Sequence, residues 1–337
     1  MCIIIIKDNN KLIKTDTLVA SAKINPHGLG VLWLDKWDVT YHKSDDYMIL
    51  KTDRPYIAHF RFATIGKINK ANCHPFNITN DEMLFQNGSI WNLGNKNKTD
   101  TQHMAEILSD IPKDRWAEVL EMSDCRFVTA NLKEQTYELY NEEDWIERNG
   151  IMYSKKNVLD KTLIAVYGTL KKDCSNYFNY LTNSKYVGPA ETDAKYPLII
   201  DGLPYLLNKP GIGEHVEVDL FLIDDTTLSN IDLLEGHPQW YCREKTSVCL
   251  DDGSRLEPYI YFNDKEDSGV HHKSYTEDYI HRSYNSYGDG WSDVDTTNYI
   301  DEDCGCRIPE PMFDEYDKEW YCISCMQTID ANLIENE

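Results

Sequence analysis

The spacing of apolar and polar positions divides the chain into three stretches. The first opens with CIIIIK, four consecutive isoleucines at 3–6. β-Branched residues without alternation suit a strand covered on both faces. The runs IAHFRFATI (57–65) and MLFQNGSIWNL (83–93) meet turns at glycine and predict further strands. Helical spacing marks TQHMAEILSDI (101–111) and DRWAEVLEM (114–122), with Asp100 placed to cap the first. CRFVTANLKEQTYELY (125–140) predicts a hairpin with polar residues at its turn, after which 147–160 loses periodicity and reads as a linker.

The second stretch begins at TLIAVYGTLKK (162–172), an apolar strand running into a glycine turn, and closes at PYIYF (258–262). Inside it, VEVDLFLI (216–223) predicts a strand, and DDTTLSNIDLLEGH (224–237) a helix entered through Asp or Thr caps. Beyond about residue 263 the chain turns acidic, tyrosine-rich and aperiodic, and it ends in a cysteine cluster. The reading is an α+β protein with domains over 2–146 and 161–263, a linker at 147–160 and an acidic tail over 264–337.

Composition narrows the function. Hydrophobic residues at 41% and aromatics at 12% suffice for real cores. A formal net charge of −23 argues against direct nucleic-acid binding through phosphates. No apolar run approaches membrane-spanning length, so no membrane partner is expected. The location expected is cytoplasmic, or the host cytoplasm if the gene is viral. There the ten cysteines would stay reduced, favouring catalysis or metal over disulfides.

The first stretch holds one set of candidate chemistry. Cys2 stands where removal of Met1 would give it a free α-amine, and HFRFATIGKINKANCHPF (59–76), QNGSIWN (86–92), NPHGLG (25–30) and TDTQHMAEIL (99–108) complete the pattern. This set resembles the class II glutamine amidotransferases, N-terminal-nucleophile hydrolases, over residues 2 to about 145. The resemblance implies an αββα sandwich. In it the Cys2 α-amine, with an ordinary pKa of about 8, serves as base for its own thiol. It also implies an oxyanion hole from the Asn87 side-chain amide and the Gly88 N–H, each donor worth roughly 3 kcal/mol. Arg61 would clamp the substrate carboxylate and Asp100 its ammonium, while Thr64 and His59 would shape the pocket. Taken singly, Arg61 also reads as a surface arginine, Asn87-Gly88 as a hairpin turn and Asp100 as a helix cap. Cys73 and His74 read as structural.

The second stretch carries another set. The turn Tyr167-Gly168-Thr169-Leu170 would expose backbone N–H groups as a nest for a carboxylate or oxyanion. IDLLEGHPQWYCRE (231–244) follows about 65 residues later, after a Pro-Gly-Ile-Gly at 210–213. This series resembles the γ-glutamylcyclotransferases over roughly 162–263, and most of all the γ-glutamylamine branch. The resemblance implies a small mixed β-barrel with helices, a loop at 167–170 holding the substrate, and Glu235 as the catalytic carboxylate. Tyr241 and Arg243 fall at structural or pocket-edge positions. VDLF at 218–221 departs from the family pattern and leaves the pocket floor open. Read alone, Glu235 is a solvated carboxylate at a helix end before Gly236. His237 reads as a surface loop residue, and Cys174, Cys242 and Cys249 as packing residues.

In the tail, Cys304, Cys306, Cys322 and Cys325 have spacing that suits a tetrahedral structural zinc site. Free thiol clusters or a redox dithiol are the other readings, and no organic cofactor is expected. Together these stretches predict a bifunctional enzyme acting on small-molecule γ-glutamyl amides. Two alternatives stay open: a glutaminase subunit supplying ammonia to a protein partner, and a non-catalytic γ-glutamyl-binding protein.

Overall fold

A computed structural model describes residues 2–276 apart from 65, 91, 96 and 97, together with 311–314, 319–322 and 328–329. Residues 1–277 form one unit and 278–337 another. The isoleucine run becomes β1 (Ile3–Lys7), whose four isoleucines are at most 2% exposed. It lies inside a six-stranded antiparallel sheet with β2 (Leu29–Trp33), β3 (Asp38–His42), β4 (Tyr56–Phe60), β9 (Ile146–Arg148) and β10 (Ile151–Tyr153), in the order β3-β2-β4-β1-β10-β9. A four-stranded sheet combines β5 (Phe76–Asn77), β6 (Glu82–Asn87), β7 (Arg126–Asn131) and β8 (Thr136–Tyr140) in sequence order.

Alternate faces of these strands build different cores. Ile4, Ile6, Leu32 and Ile57 of the first sheet pack on Met83, Phe85, Val128 and Ala130 of the second. The opposite face of the first sheet, with Ile3, Ile5 and Val31, packs with Leu18, Val19 and Ala22 of α1 (Thr15–Ile24). Beyond the second sheet, Leu84 and Phe127 meet Met104, Ala105 and Leu108 of α2 (Asp100–Ser109) and Trp116 of α3 (Trp116–Leu120). The layers therefore run helix, sheet, sheet, helices.

Two sequence expectations need correction. The aperiodic stretch 147–160 carries most of the β9–β10 hairpin, and β10 pairs with β1. Three-residue strands are too short to show a period. Asp100 is the first helical residue of α2, not its cap. Thr99 caps the helix, its hydroxyl accepting from the Gln102 N–H while the Gln102 side chain accepts from the Thr99 N–H.

The following module is a mixed seven-stranded sheet in the order β16-β19-β11-β15-β12-β17-β18. Its strands are β11 (Thr162–Val166), β12 (Lys185–Thr192), β15 (Glu217–Ile223), β16 (Tyr241–Lys245), β17 (Val248–Leu250), β18 (Arg255–Leu256) and β19 (Tyr259–Asn263). The β11–β19 pair is parallel and the others antiparallel. Where a small mixed β-barrel with helices was expected, the sheet has an open order with β16 and β18 at its ends. One face takes α4 (Ser175–Tyr180) and α5 (Asp225–Leu234), through Ile164, Val166, Phe221 and Ile231. The other face contributes Leu163, Ala165, Leu220 and Val248 to the same core as β1 and α1, together with Leu198 and Leu206 of the hairpin β13 (Leu198–Asp201)–β14 (Leu203–Leu206). Packing continues past the expected boundary at 263. The Glu217 N–H donates to Lys273 O at 2.9 Å, and Tyr275 is 4% exposed.

In the second unit, β20 (Pro311–Asp314), β21 (Glu319–Cys322) and β22 (Thr328–Ile329) make a three-stranded antiparallel sheet. Cys322 ends β21, whereas Cys304, Cys306 and Cys325 lie outside the described residues. Among the described residues, no helix is long and apolar enough to cross a membrane.

Candidate active site

Glu235 owes its position to how α5 ends. Asp224 caps the start, its carboxylate accepting from the Thr227 N–H at 2.9 Å. At the other end Gly236 takes φ +61°, its N–H donating to Leu233 O and the His237 N–H to Asp232 O. This is a Schellman closure, which glycine permits without strain. The chain then folds back, and the Tyr241 N–H donates to Glu235 O at 3.2 Å. His237, read as a surface loop residue, lies in this turn, half-buried, with its Nδ1 3.3 Å from the Arg243 N–H.

Three tyrosines lie near enough to Glu235 to feel its charge. Tyr167 is 6% exposed and donates to Tyr261 O at 2.8 Å, and Tyr241 donates to Pro204 O at 3.0 Å. Tyr261 donates to Asp232 Oδ1 at 2.7 Å, and Arg243 Nε also contacts that oxygen, at 3.2 Å. Burial pushes all three phenols up, and the nearby Glu235 charge adds to the effect. Burial also pushes the Glu235 carboxyl from 4.5 to about 7. Its place at the negative end of the α5 dipole acts in the same direction.

Tyr167 leads into the 167–170 loop. Thr169 O accepts from the Asn176 N–H at 3.0 Å, and Gly168 O from the Lys171 N–H at 2.9 Å. Among the described residues, the N–H groups of Gly168, Thr169 and Leu170 meet no acceptor. A Cβ at Gly168 would sit 2.5 Å from Pro204 Cγ, so the loop passes the β13–β14 hairpin at a distance only glycine allows. The structure thus joins Glu235, Tyr167 and Tyr241 with the loop Gly168-Thr169-Leu170. An ionisable carboxyl near neutrality beside unengaged N–H groups is equipped to move a proton while an anionic group is held.

The first module gathers a second cluster. Cys2 Sγ accepts from the Phe62 N–H at 3.3 Å. Burial pushes its thiol up, against the pull of that N–H and of Arg61. Arg61 is 3% exposed and donates to Lys67 O at 3.1 Å. Asp100 Oδ2 accepts from Gln86 Nε2 and the Ile90 N–H, both at 2.9 Å. Thr64 is exposed, with its hydroxyl 3.2 Å from that of Ser89. His59 and His74 stack with ring centroids 3.9 Å apart, and burial holds His59 down to about 3. Gly88 needs φ +138°, and a Cβ there would meet Cys125 Sγ at 2.4 Å. Asn87 Nδ2 is engaged by Ser154, donating to its Oγ at 2.9 Å and its O at 3.3 Å.

Sequence reasoning missed Ser154, 67 residues from Asn87 and without any local signal. It gave Asp219 no role, although VDLF at 218–221 stood out as a departure from the family pattern. Of the cysteines read as packing residues, Cys174 and Cys249 are partly buried and Cys242 is exposed.

The module is a mixed sheet with two helices on one face, a helix-end carboxyl at Glu235 and a glycine turn after its first strand. Comparisons with known proteins place this module in a family. Residues 164–281 match the family model described as gamma-glutamyl cyclotransferase, AIG2-like. A Methanocaldococcus jannaschii protein provisionally named a gamma-glutamylcyclotransferase is 39% identical over 99 residues, which cover 29% of this chain and 82% of that protein. Gamma-glutamylaminecyclotransferase B of Danio rerio is 33% identical over 142 residues, covering 38% of this chain and 70% of its own. Among solved structures, an AIG2-like protein from Mus musculus aligns at 26% identity with a TM-score of 0.34, over 36% of this chain and 92% of that one. The chain belongs to the gamma-glutamyl cyclotransferase, AIG2-like family. Residues 2–146 lie outside the matched stretch.

Proposed function

We propose that the second module is a γ-glutamylamine cyclotransferase, which converts a γ-glutamyl amide into 5-oxoproline and a free amine. In this reaction the substrate's α-nitrogen attacks its own γ-carbonyl carbon. The new C–N bond closes a five-membered lactam, and the bond to the departing amine breaks. The α-ammonium sheds two protons in becoming the lactam N–H, and the departing nitrogen takes up one, or both as it becomes an ammonium. Glu235 takes the first proton from the α-ammonium and delivers it to the leaving nitrogen. The N–H groups of 168–170 hold the substrate carboxylate and the developing oxyanion. Because nucleophile and electrophile share one molecule, holding the chain bent supplies much of the acceleration.

The observation that carries this reading is the Glu235 carboxyl, brought by burial to about 7 and faced by Tyr167 at the head of the loop. The test is to incubate wild type and Glu235→Gln with a panel of γ-glutamylamines and to quantify 5-oxoproline and amine. Loss of at least about a hundredfold in turnover is expected, and an unchanged rate would refute the role.

For the first module we propose Cys2-dependent hydrolysis or transfer of a γ-glutamyl amide. The reading is supported by the layer order and by the Cys2 thiol lying beside the Phe62 N–H and Arg61. The Asn87 amide would have to exchange Ser154 for the oxyanion during the reaction. Cys2→Ala should remove glutamate release while leaving 5-oxoproline formation intact, and intact mass should show Met1 absent. Equal glutamate release by both proteins would discard the proposal.

A further inference from the structure

The 167–172 loop is held from two sides by residues the reaction itself does not use. On the sheet side stands Asp219, whose strand pairs with the loop's own strand at Val166. Its side chain is buried, the residue being 8% exposed. Asp219 Oδ2 accepts from the Lys172 N–H at 2.8 Å, and Oδ1 accepts from the Tyr186 hydroxyl at 3.1 Å. A buried carboxylate on a central strand is costly unless its hydrogen bonds are made. One of these two bonds goes to loop backbone. On the helix side Asn176, in the first turn of α4, meets Thr169 twice. Its N–H donates to Thr169 O at 3.0 Å, and its Nδ2 donates to Thr169 Oγ1 at 2.9 Å.

We infer that Asp219 and Asn176 are positioning residues, a two-sided clamp that fixes the N–H groups of Gly168, Thr169 and Leu170 in the orientation that receives the substrate's carboxylate. The inference rests on the cyclotransferase reading of this site. Asp219 fixes the end of the loop at Lys172, and Asn176 fixes its middle at Thr169. Tyr186 completes the arrangement by occupying the second oxygen of Asp219, which leaves the first oriented toward Lys172. With either anchor removed, the three N–H groups no longer converge, and affinity for the γ-glutamyl end falls before the proton transfer at Glu235 is affected.

The test compares wild type, Asp219→Ala, Asp219→Asn, Asn176→Ala and Glu235→Gln on one γ-glutamylamine, with KM and kcat measured separately and folding checked by circular dichroism. Asp219→Ala and Asn176→Ala are expected to raise KM on the order of tenfold, with a smaller change in kcat. Asp219→Asn should stay within about threefold of wild type, because its carbonyl oxygen can take the Lys172 N–H and its amide can donate to the Tyr186 oxygen. A purely structural role would reduce the folded, active fraction at unchanged KM. If Asp219→Ala does not fold, Asn176→Ala decides the matter. Wild-type KM in the folded alanine variants would overturn the clamp. An inactive Glu235→Gln alongside unmoved KM values would overturn the clamp alone. A Glu235→Gln that retains turnover would overturn the reaction assignment, with KM still reporting on the loop. A wild type without turnover would remove both.

Discussion

At the scale of single residues, Glu235 combines a helix-end position with burial. The raised carboxyl has a consequence for stability whose sign is fixed. Its folded value, about 7, lies above its ordinary 4.5, so folding favours the protonated form. That contribution is fully present below about pH 4.5 and is lost as pH rises through about 7. Glu235→Gln should therefore melt close to wild type at acidic pH and above it near pH 8, by about 1–3 kcal/mol. A melting-temperature difference that does not grow with pH would contradict the burial argument. Gly168 makes a second case. A methyl group there meets the Pro204 ring, which cannot swing aside as a flexible chain could. Gly168→Ala should raise KM at least about tenfold and lower stability by about 1–3 kcal/mol. Both residues were legible in the sequence, because Glu-Gly at a helix stop and Tyr-Gly-Thr-Leu after a strand are local signals. The contacts of Asn87 with Ser154 and of Asp219 with the loop were not, because each joins residues far apart in the chain.

At the scale of elements, what could be read depended on periodicity. The strand β8 alternates, β7 and β15 are largely apolar runs of readable length, and the helix α5 is marked by its caps. No periodic pattern marks α1, although it is central to the core. Leu18, Val19, Ala20, Ser21 and Ala22 are all fully buried, so the helix has no polar face to betray its period. Its neighbours β2 and β3 were also missed, and β9 and β10 are too short to show a pattern. The helix packs against the first sheet on one side and within reach of β12 on the other. Leu18→Ala should cost about 2–5 kcal/mol, read from urea unfolding. A cost below about 1 kcal/mol would mean that α1 is not the wedge its burial implies.

At the scale of the whole molecule, residues up to 276 share a continuous apolar core that runs from β1 through α1 into the seven-stranded sheet. The domain boundary read at 147–160 therefore marks a change of sheet rather than a flexible joint between independent cores. Fluorescence and circular dichroism should report one coincident unfolding transition for this unit, and Leu18→Ala should move it as a whole. Two separated transitions would contradict a shared core. The family match falls on the second module, and it is there that a carboxyl, three tyrosines and a loop of unengaged N–H groups come together. The most direct measurement is kcat/KM for 5-oxoproline release from a γ-glutamylamine, taken from about pH 5 to 9 for wild type and Glu235→Gln. The account predicts a wild-type rate that climbs with an apparent pKa near 7 and a variant that is inactive throughout. Comparable release by both proteins, or a wild-type rate flat across neutrality, would contradict it.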